Sequence, residues 1–261
     1  MRRVAGAALF RAGRTADRMA RLSHYMAVGT LLLSDLRDHI RGGWEDFYAT
    51  DPPPVPALLP WEEQLADRFL AAGSEVLVVG CGNGRDLVAL AERGCRVTGV
   101  EPSATAIEQA RRALGTRHAA ATLVPGFFED ARLCGTYDAV IFSYHCYAFI
   151  PVSARRIESL RKAARLLASG GHIVVSHASG AAAPRSVLIT AARLVAAICR
   201  SDWRLEPGDL VWENRTRRPT YSYTHAFSPG ELEREAAAAG LRMVTSNVTA
   251  GGSLVAVLAR T

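Results

Sequence analysis

Lysine is almost missing from this chain: 30 of the 31 basic residues are arginine. The arginines are scattered over many segments, so they read as composition and not as one basic surface. Paired cysteines are missing too. The five cysteines (81, 95, 134, 146 and 199) are odd in number and contain no Cys-x-x-Cys. That argues against a disulfide framework, leaves no Cys-x-x-Cys metal site, and points to a reducing compartment, so a cytoplasmic protein is the expectation. No apolar run approaches the roughly 20 residues that a spanning helix needs. Val187 to Cys199 comes nearest and is interrupted by Arg193. Met26 to Leu33 is short and has no clear cleavage site after it, so no secretory signal is expected.

What is present is a chain that is 49% hydrophobic and 21% charged, which favours a sizeable core over disorder. Its charge is uneven. Residues 1–41 carry eight arginines against Asp17, Asp35 and Asp38, while the remainder is close to neutral. The formal charge of +6 therefore describes an N-terminal arm. Such an arm is either a solvated helix or a weak contact to a membrane surface or to nucleic acid.

Residues 1–41 read as helical. The stretch "DPPPVPALLP" (51–60) is too rich in proline for regular structure and reads as a linker. After a helix at Trp61–Ala72, strands and helices alternate. Strands are expected at Glu75–Val79, Arg96–Val100, Ala121–Pro125, Tyr137–Ser143 and His172–His177, with helices at Asp86–Arg93, Ala104–Leu114 and Ser153–Leu167 between them. Continuous apolar strands separated by helices imply a parallel sheet covered on both faces. Residues 178–220 break the rhythm with an apolar helix (185–199) and an irregular stretch. A helix (Pro229–Ala239) and two strands (Arg242–Asn247, Ser253–Leu258) follow, the strands joined by a short "VTAGG" and so antiparallel. The expected fold is α/β: a doubly wound, mostly parallel seven-stranded sheet with an antiparallel C-terminal hairpin strand. Residues 1–60 form a helical arm and linker, and 61–261 a domain with a lid-like insert at 178–220.

The stretch "LVVGCGNGRD" (77–86) carries the chemistry. A glycine-rich turn between a first strand and its helix lets a ligand approach the backbone and aims helix N–H groups at it. Gly80, Gly82 and Gly84 are placed for that. Glu101 ends the next strand, 21 residues after Gly80, where an acid meets ribose hydroxyls. Together they indicate an adenosine ligand. A nicotinamide dinucleotide would call for a third glycine where Arg85 stands, which speaks against an NAD(P)-dependent oxidoreductase.

The G-x-G-x-G run, "VLVVGCGNGRDLVALAERGCRVTGVEPSATAIEQA", "YDAVIFSYHCYAFIP" and "LRKAARLLASGGHIVVS" resemble the class I, Rossmann-like S-adenosylmethionine-dependent methyltransferases. The likeness covers residues 60–177 and extends to 221–261. "GCRVTGVEPS" and the upstream Trp61 and "GGWEDFY" resemble the small-molecule, thiopurine methyltransferase-like members. The resemblance implies S-adenosyl-L-methionine as cofactor. Gly80, Cys81, Gly82 and Gly84 would face its methionine part, and Glu101 would hold the ribose diol. Pro102, Phe127 and Phe128 would flank the adenine, Glu129 would accept from its amine, and Ser143 would lie near it through its backbone. The chain departs from the pattern at Val78, where many members carry an acid, and at Phe127, where the loop after the third strand usually has one.

Methyl transfer needs orientation, exclusion of water and, for a poor nucleophile, a base. His145 is the candidate base, with Tyr147 beside it. His177 and His225 are weaker candidates, and Cys146 reads as a buried thiol. The "SYHCYAF" after the fourth strand lacks the D/N-P-P-aromatic of enzymes that methylate exocyclic amines of nucleic acids, so nucleic acid is disfavoured as partner. No acidic or histidine cluster at ligand spacing follows that strand, so no metal is expected. The expected function is transfer of a methyl group to a small, hydrophobic acceptor. The alternative is a catalytically silent cofactor-binding module acting through a partner.

Overall fold

In the computed structural model, residues 2–50, 57–116, 120–178, 184, 186–214 and 220–261 are described, with side chains from residue 11 onward. The chain divides into two compact units, one made of residues 1–43 and 182–224, the other of 44–181 and 225–261. The division follows contact and not chain order.

The first unit contains α1 (Arg2–Thr30), the start of α2 (Leu33–Thr50), α7 (Ser186–Ile198), and strands β6 (Asp209–Asn214) and β7 (Thr220–His225). The helical stretch expected over 1–41 is two helices, and the second runs on to Thr50. The break at Leu31–Leu32 is held by Trp203, whose indole N–H donates to the Leu31 carbonyl at 3.0 Å. α1 and α7 approach so closely at Gly29 that a Cβ there would strike the Ala192 backbone. The stretch expected to be irregular before Pro219 holds β6, which pairs with β7 as a two-stranded sheet. "DLVWEN" and "TYSYTH" are short and rich in β-branched and aromatic residues, but strands of six are hard to read without a partner in view. Asp209 stitches this unit together: its backbone carbonyl accepts from Tyr25 at 2.9 Å and its carboxylate from Tyr223 at 2.7 Å.

The second unit carries a seven-stranded sheet. Its strands are β1 (Glu75–Val79), β2 (Arg96–Glu101), β3 (Thr122–Pro125), β4 (Tyr137–Phe142), β5 (Leu167–Ala178), β8 (Leu241–Val248) and β9 (Ser253–Arg260). The order is β3-β2-β1-β4-β5-β9-β8. β1 to β5 are parallel, and β9 enters antiparallel between β5 and β8. This is the expected doubly wound sheet with its antiparallel hairpin. The helices are α3 (Pro60–Phe69), α4 (Arg85–Glu92), α5 (Ala104–Leu114), α6 (Ser153–Leu166) and α8 (Glu231–Ala238). Alternate residues of β1 serve opposite faces: Leu77 and Val79 join a core with Phe142, Leu160 and Leu232, while Val76 and Val78 pack with Leu87, Val88 and Leu90. Burying each such side chain is worth about 1.5–3 kcal/mol, which is why a central strand reads as an unbroken apolar run. The placement of β2 and β4 on opposite sides of β1 creates a switch point at the carboxyl ends of β1 and β4, where ligands sit in such sheets. Among the described residues, no helix is long and apolar enough to cross a membrane.

Candidate functional site

β1 ends in a turn whose three glycines all have positive φ: Gly80 at 70°, Gly82 at 53° and Gly84 at 91°. The N–H groups of Gly80 and Cys81 both donate to the Val100 carbonyl (2.8 and 3.2 Å), which ties the turn to the end of β2. Gly84 is the N-cap of α4. Close neighbours explain two of these glycines beyond φ. A Cβ at Gly80 would collide with the Cys146 sulfur, and one at Gly82 with the Tyr48 hydroxyl.

Glu101, at the end of β2, is only 5% exposed. Its two carboxylate oxygens accept from the N–H of Gly82 (3.1 Å) and of Ser103 (2.9 Å). Burial pushes its pKa up to about 7, against the pull of those two donors and with the help of the nearby Glu45 and Asp86 carboxylates. Asp86, on the first turn of α4, is pushed by burial to about 6 and receives the Ser143 hydroxyl at 2.6 Å. Burial likewise raises the Tyr48 hydroxyl, followed by the fields of Glu101, Cys146, Cys81 and Asp86. Tyr48 reaches the turn from the last turns of α2. Three positions upstream along the same helix face, Glu45 accepts from the N–H groups of Ala104 and Thr105 at the start of α5. Gln109 of α5 donates to the Tyr48 carbonyl at 2.7 Å. An acid at a helix N-terminus is where the helix dipole favours it.

The turn, Glu101, Ser143 and the end of β2 are thus brought together. The sequence reading missed Tyr48, Glu45 and Asp86 as members of this cluster. "GGWEDFY" was the available signal for the first two, and it lies outside the alternating strand–helix pattern. Pro102 and Phe127 are half-buried. The Gly126 N–H donates to the Glu101 carbonyl at 2.9 Å, so the loop bearing Phe127 starts beside Glu101. Glu129 is ion-paired with Arg155 at 3.4 Å. The side chain of Cys81 points into the core against Gly99 and Leu87, and burial raises its thiol well above the usual range.

Two residues fall elsewhere than expected. Phe128 is 3% exposed and lies in the core, edge-on to Phe142 at 5.5 Å, because the loop turns it inward under α6. Tyr147 is fully buried, and its hydroxyl donates to Glu235 at 2.7 Å. Glu235 is also held by Arg156, itself 0% exposed. Tyr147 therefore anchors the 3-10 turn Cys146–Phe149 and presents no surface to an acceptor.

His145 sits differently. It is half-buried with φ 65°, and Tyr144 before it has φ 27°. Two successive side-chain-bearing residues in the left-handed region are costly, and such strain gathers at functional sites. Tyr144 stacks on the His145 ring at 4.7 Å. His145 Nε2 lies 2.9 Å from the Ser253 hydroxyl, and its backbone N–H donates to Ser176 at 3.0 Å. Burial, then the field of His177, lowers its pKa below the ordinary histidine value. His177 is buried at the end of β5 with Nδ1 on the Ala178 carbonyl, and His225 is held by Glu231 at 2.8 Å.

The arrangement fits an adenosine-bearing sulfonium cofactor: a glycine turn, a buried acceptor at the end of β2, and a strained histidine at the end of β4. Comparison with known proteins agrees. Residues 76–171 match a family described as "Methyltransferase domain". The cypemycin N-terminal methyltransferase of a Streptomyces species is 34% identical over 99 residues, 38% of this chain and 40% of that one. A 23S rRNA (uracil(747)-C(5))-methyltransferase of Pyrococcus horikoshii is 37% identical over 95 residues, 36% of this chain and 22% of that one. The chain thus spans less than half the length of these curated relatives. The CcbJ methyltransferase from Streptomyces caelestis shares the fold, with a TM-score of 0.62 at 21% identity over 86% of this chain and 99% of its own. So does an S-adenosylmethionine-bound amino pentose methyltransferase, CalS10 from Micromonospora echinaspora (TM-score 0.53, 20% identity, 84% and 92% covered).

Proposed function

Since residues 76–171 match a methyltransferase-domain family and lie on the class I, Rossmann-like sheet, we propose that the chain uses S-adenosylmethionine to methylate a small, partly apolar acceptor at a nucleophilic heteroatom. The observation that carries this reading is the meeting of the glycine turn with buried Glu101 under Tyr48. Gly80, Gly82 and Gly84 give the turn the left-handed backbone that brings its N–H groups toward the methionine part. Glu101 takes the ribose diol in its ionised form, since a carboxylate offers two acceptors and no donor. Asp86 with Ser143 supplies the negative charge near the turn that Val78 lacks. Pro102 and Phe127 flank the adenine, and Glu129 faces its amine.

Bound S-adenosylmethionine supplies an electrophilic methyl on a sulfonium, which an acceptor displaces in line. The chain's part is to aim the acceptor, exclude water and remove a proton. Neutral His145 takes that proton on the ring nitrogen left over by Ser253, and its low pKa keeps it ready to do so at pH 7. Tyr144, 61% exposed and stacked on His145, offers the incoming acceptor an aromatic face. The curated relatives differ in what they are named for, one an N-terminus and the other an rRNA uracil, so the small-molecule reading rests on the exposed aromatic face of Tyr144 beside His145.

The test is calorimetric titration with S-adenosylhomocysteine beside NAD and NADP, followed by a screen of amine, phenol and peptide acceptors read by release of S-adenosylhomocysteine. Binding of S-adenosylhomocysteine alone, with turnover on one acceptor class, is expected. Binding of NAD instead overturns the cofactor assignment, and binding without any turnover makes the chain a silent module.

A further inference from the structure

The chain's one lysine is Lys162, on α6. Its ammonium lies 2.6 Å from the Phe128 carbonyl, 2.7 Å from that of Ala131 and 3.2 Å from that of Glu129. It also sits over the Phe128 ring, 4.9 Å from the centroid. The segment it grips is the turn after β3. There the N–H groups of Asp130 and Ala131 both use the Phe127 carbonyl (3.1 and 3.0 Å), so the carbonyls after Phe127 converge on a point outside the turn. Three converging carbonyls need a compact cation with three donors pointing in different directions. An ammonium has that shape. A guanidinium is a flat fork suited to two parallel acceptors. In a chain that uses arginine at every other basic position, the exception coincides with the one geometry arginine fits badly.

We infer that Lys162 is a positioning residue that clamps the turn 127–131 and thereby shapes the adenine end of the cofactor site. The turn begins at Gly126, bonded to the Glu101 carbonyl, and carries Phe127 and Glu129. Lys162 acts through the turn and touches no ligand. Phe128 lies inward under that ammonium, Phe127 stays half-buried, and Glu129 is ion-paired with Arg155 of the same helix, so α6 fixes the turn at several points. This inference rests on the cofactor reading above, because without an adenine the turn has no ligand to shape.

The test compares wild type with K162M and K162R by amide hydrogen exchange without ligand and by titration with S-adenosylhomocysteine and S-inosylhomocysteine. In K162M, the amides of 127–131 exchange faster while those of β1 and β4 do not. The Kd for S-adenosylhomocysteine rises about tenfold, as expected for losing charge-assisted bonds that order a binding loop. Preference for the adenine over the hypoxanthine ligand shrinks, an effect that a merely structural lysine would not produce. K162R recovers only part of either. Unchanged exchange in 127–131 overturns the clamp. Faster exchange with unchanged affinity and base preference overturns the positioning role. Should wild type bind neither ligand, the cofactor reading fails, the positioning role fails with it, and hydrogen exchange alone judges the clamp.

Discussion

The two halves of the candidate site are built in opposite ways. The cofactor half is local: Gly80 to Gly84 lie in one turn, and Glu101 follows within one βαβ unit. Its conformation is set by glycine φ values and by backbone bonds between neighbouring strands. The acceptor half is assembled from afar. His145 follows β4, Ser176 and His177 end β5, and Ser253 begins β9. What holds it is a buried polar anchor, Tyr147–Glu235–Arg156, that joins the turn after β4 to α6 and α8. A local site is specified by residue types that few alternatives can replace. A site assembled over long range is specified by packing, and its residues look ordinary one at a time.

This contrast can be broken at either end. The largest effect is expected at the turn. G80A adds a Cβ where the Cys146 sulfur lies and strains a φ of 70°, so S-adenosylhomocysteine affinity should fall about 100-fold or more. G80A with C146A removes the collision but not the strain, and recovers only part. Full affinity in G80A, read by calorimetry, would remove the turn from the site.

Next comes His145. H145A should lower turnover about 100-fold while leaving the S-adenosylhomocysteine Kd within about twofold, the signature of a lost base. A change confined to Kd would assign His145 to the cofactor half instead.

Glu101 gives a smaller, graded effect. Its pKa is raised to about 7, so its carboxylate is protonated below that and cannot accept from both ribose hydroxyls. Affinity for S-adenosylhomocysteine should therefore rise with pH to a plateau above 7, by up to about tenfold per unit below it, and E101Q should flatten the profile. The sign for stability is opposite. A carboxyl whose folded pKa lies above its unfolded value stabilises the ligand-free fold most at low pH. That contribution fades as pH rises from the ordinary carboxylate range through 7. Thermal melts of wild type and E101Q across pH 5–8 check this.

The smallest effect is expected at Tyr147. Y147F takes one hydrogen bond from buried Glu235, at a cost of about 1–3 kcal/mol in denaturant stability, with turnover largely kept. Loss of turnover at full stability would return Tyr147 to the chemistry.

The sequence by itself determined the sheet, the glycine turn and the acid that ends β2. Unbroken apolar strands, alternating helices, positive-φ glycines and an acid at the end of β2 each have one cheap physical solution, and the solutions agree. Other features were decided only by tertiary structure. Phe127 and Phe128 are adjacent and alike, yet Phe128 enters the core beneath Lys162 while Phe127 stays half-buried. Tyr147 looked like a partner of His145 until Glu235, 88 residues away, took its hydroxyl. Tyr48 and Glu45 ended a helix read as stopping at 41, and they reach the glycine turn and α5 because α2 continues past it. Local conformation is a matter of sterics and hydrogen bonding within a few residues, which the sequence spells out. Which of two similar side chains is buried, and what a buried hydroxyl bonds to, depends on neighbours that the fold alone brings near.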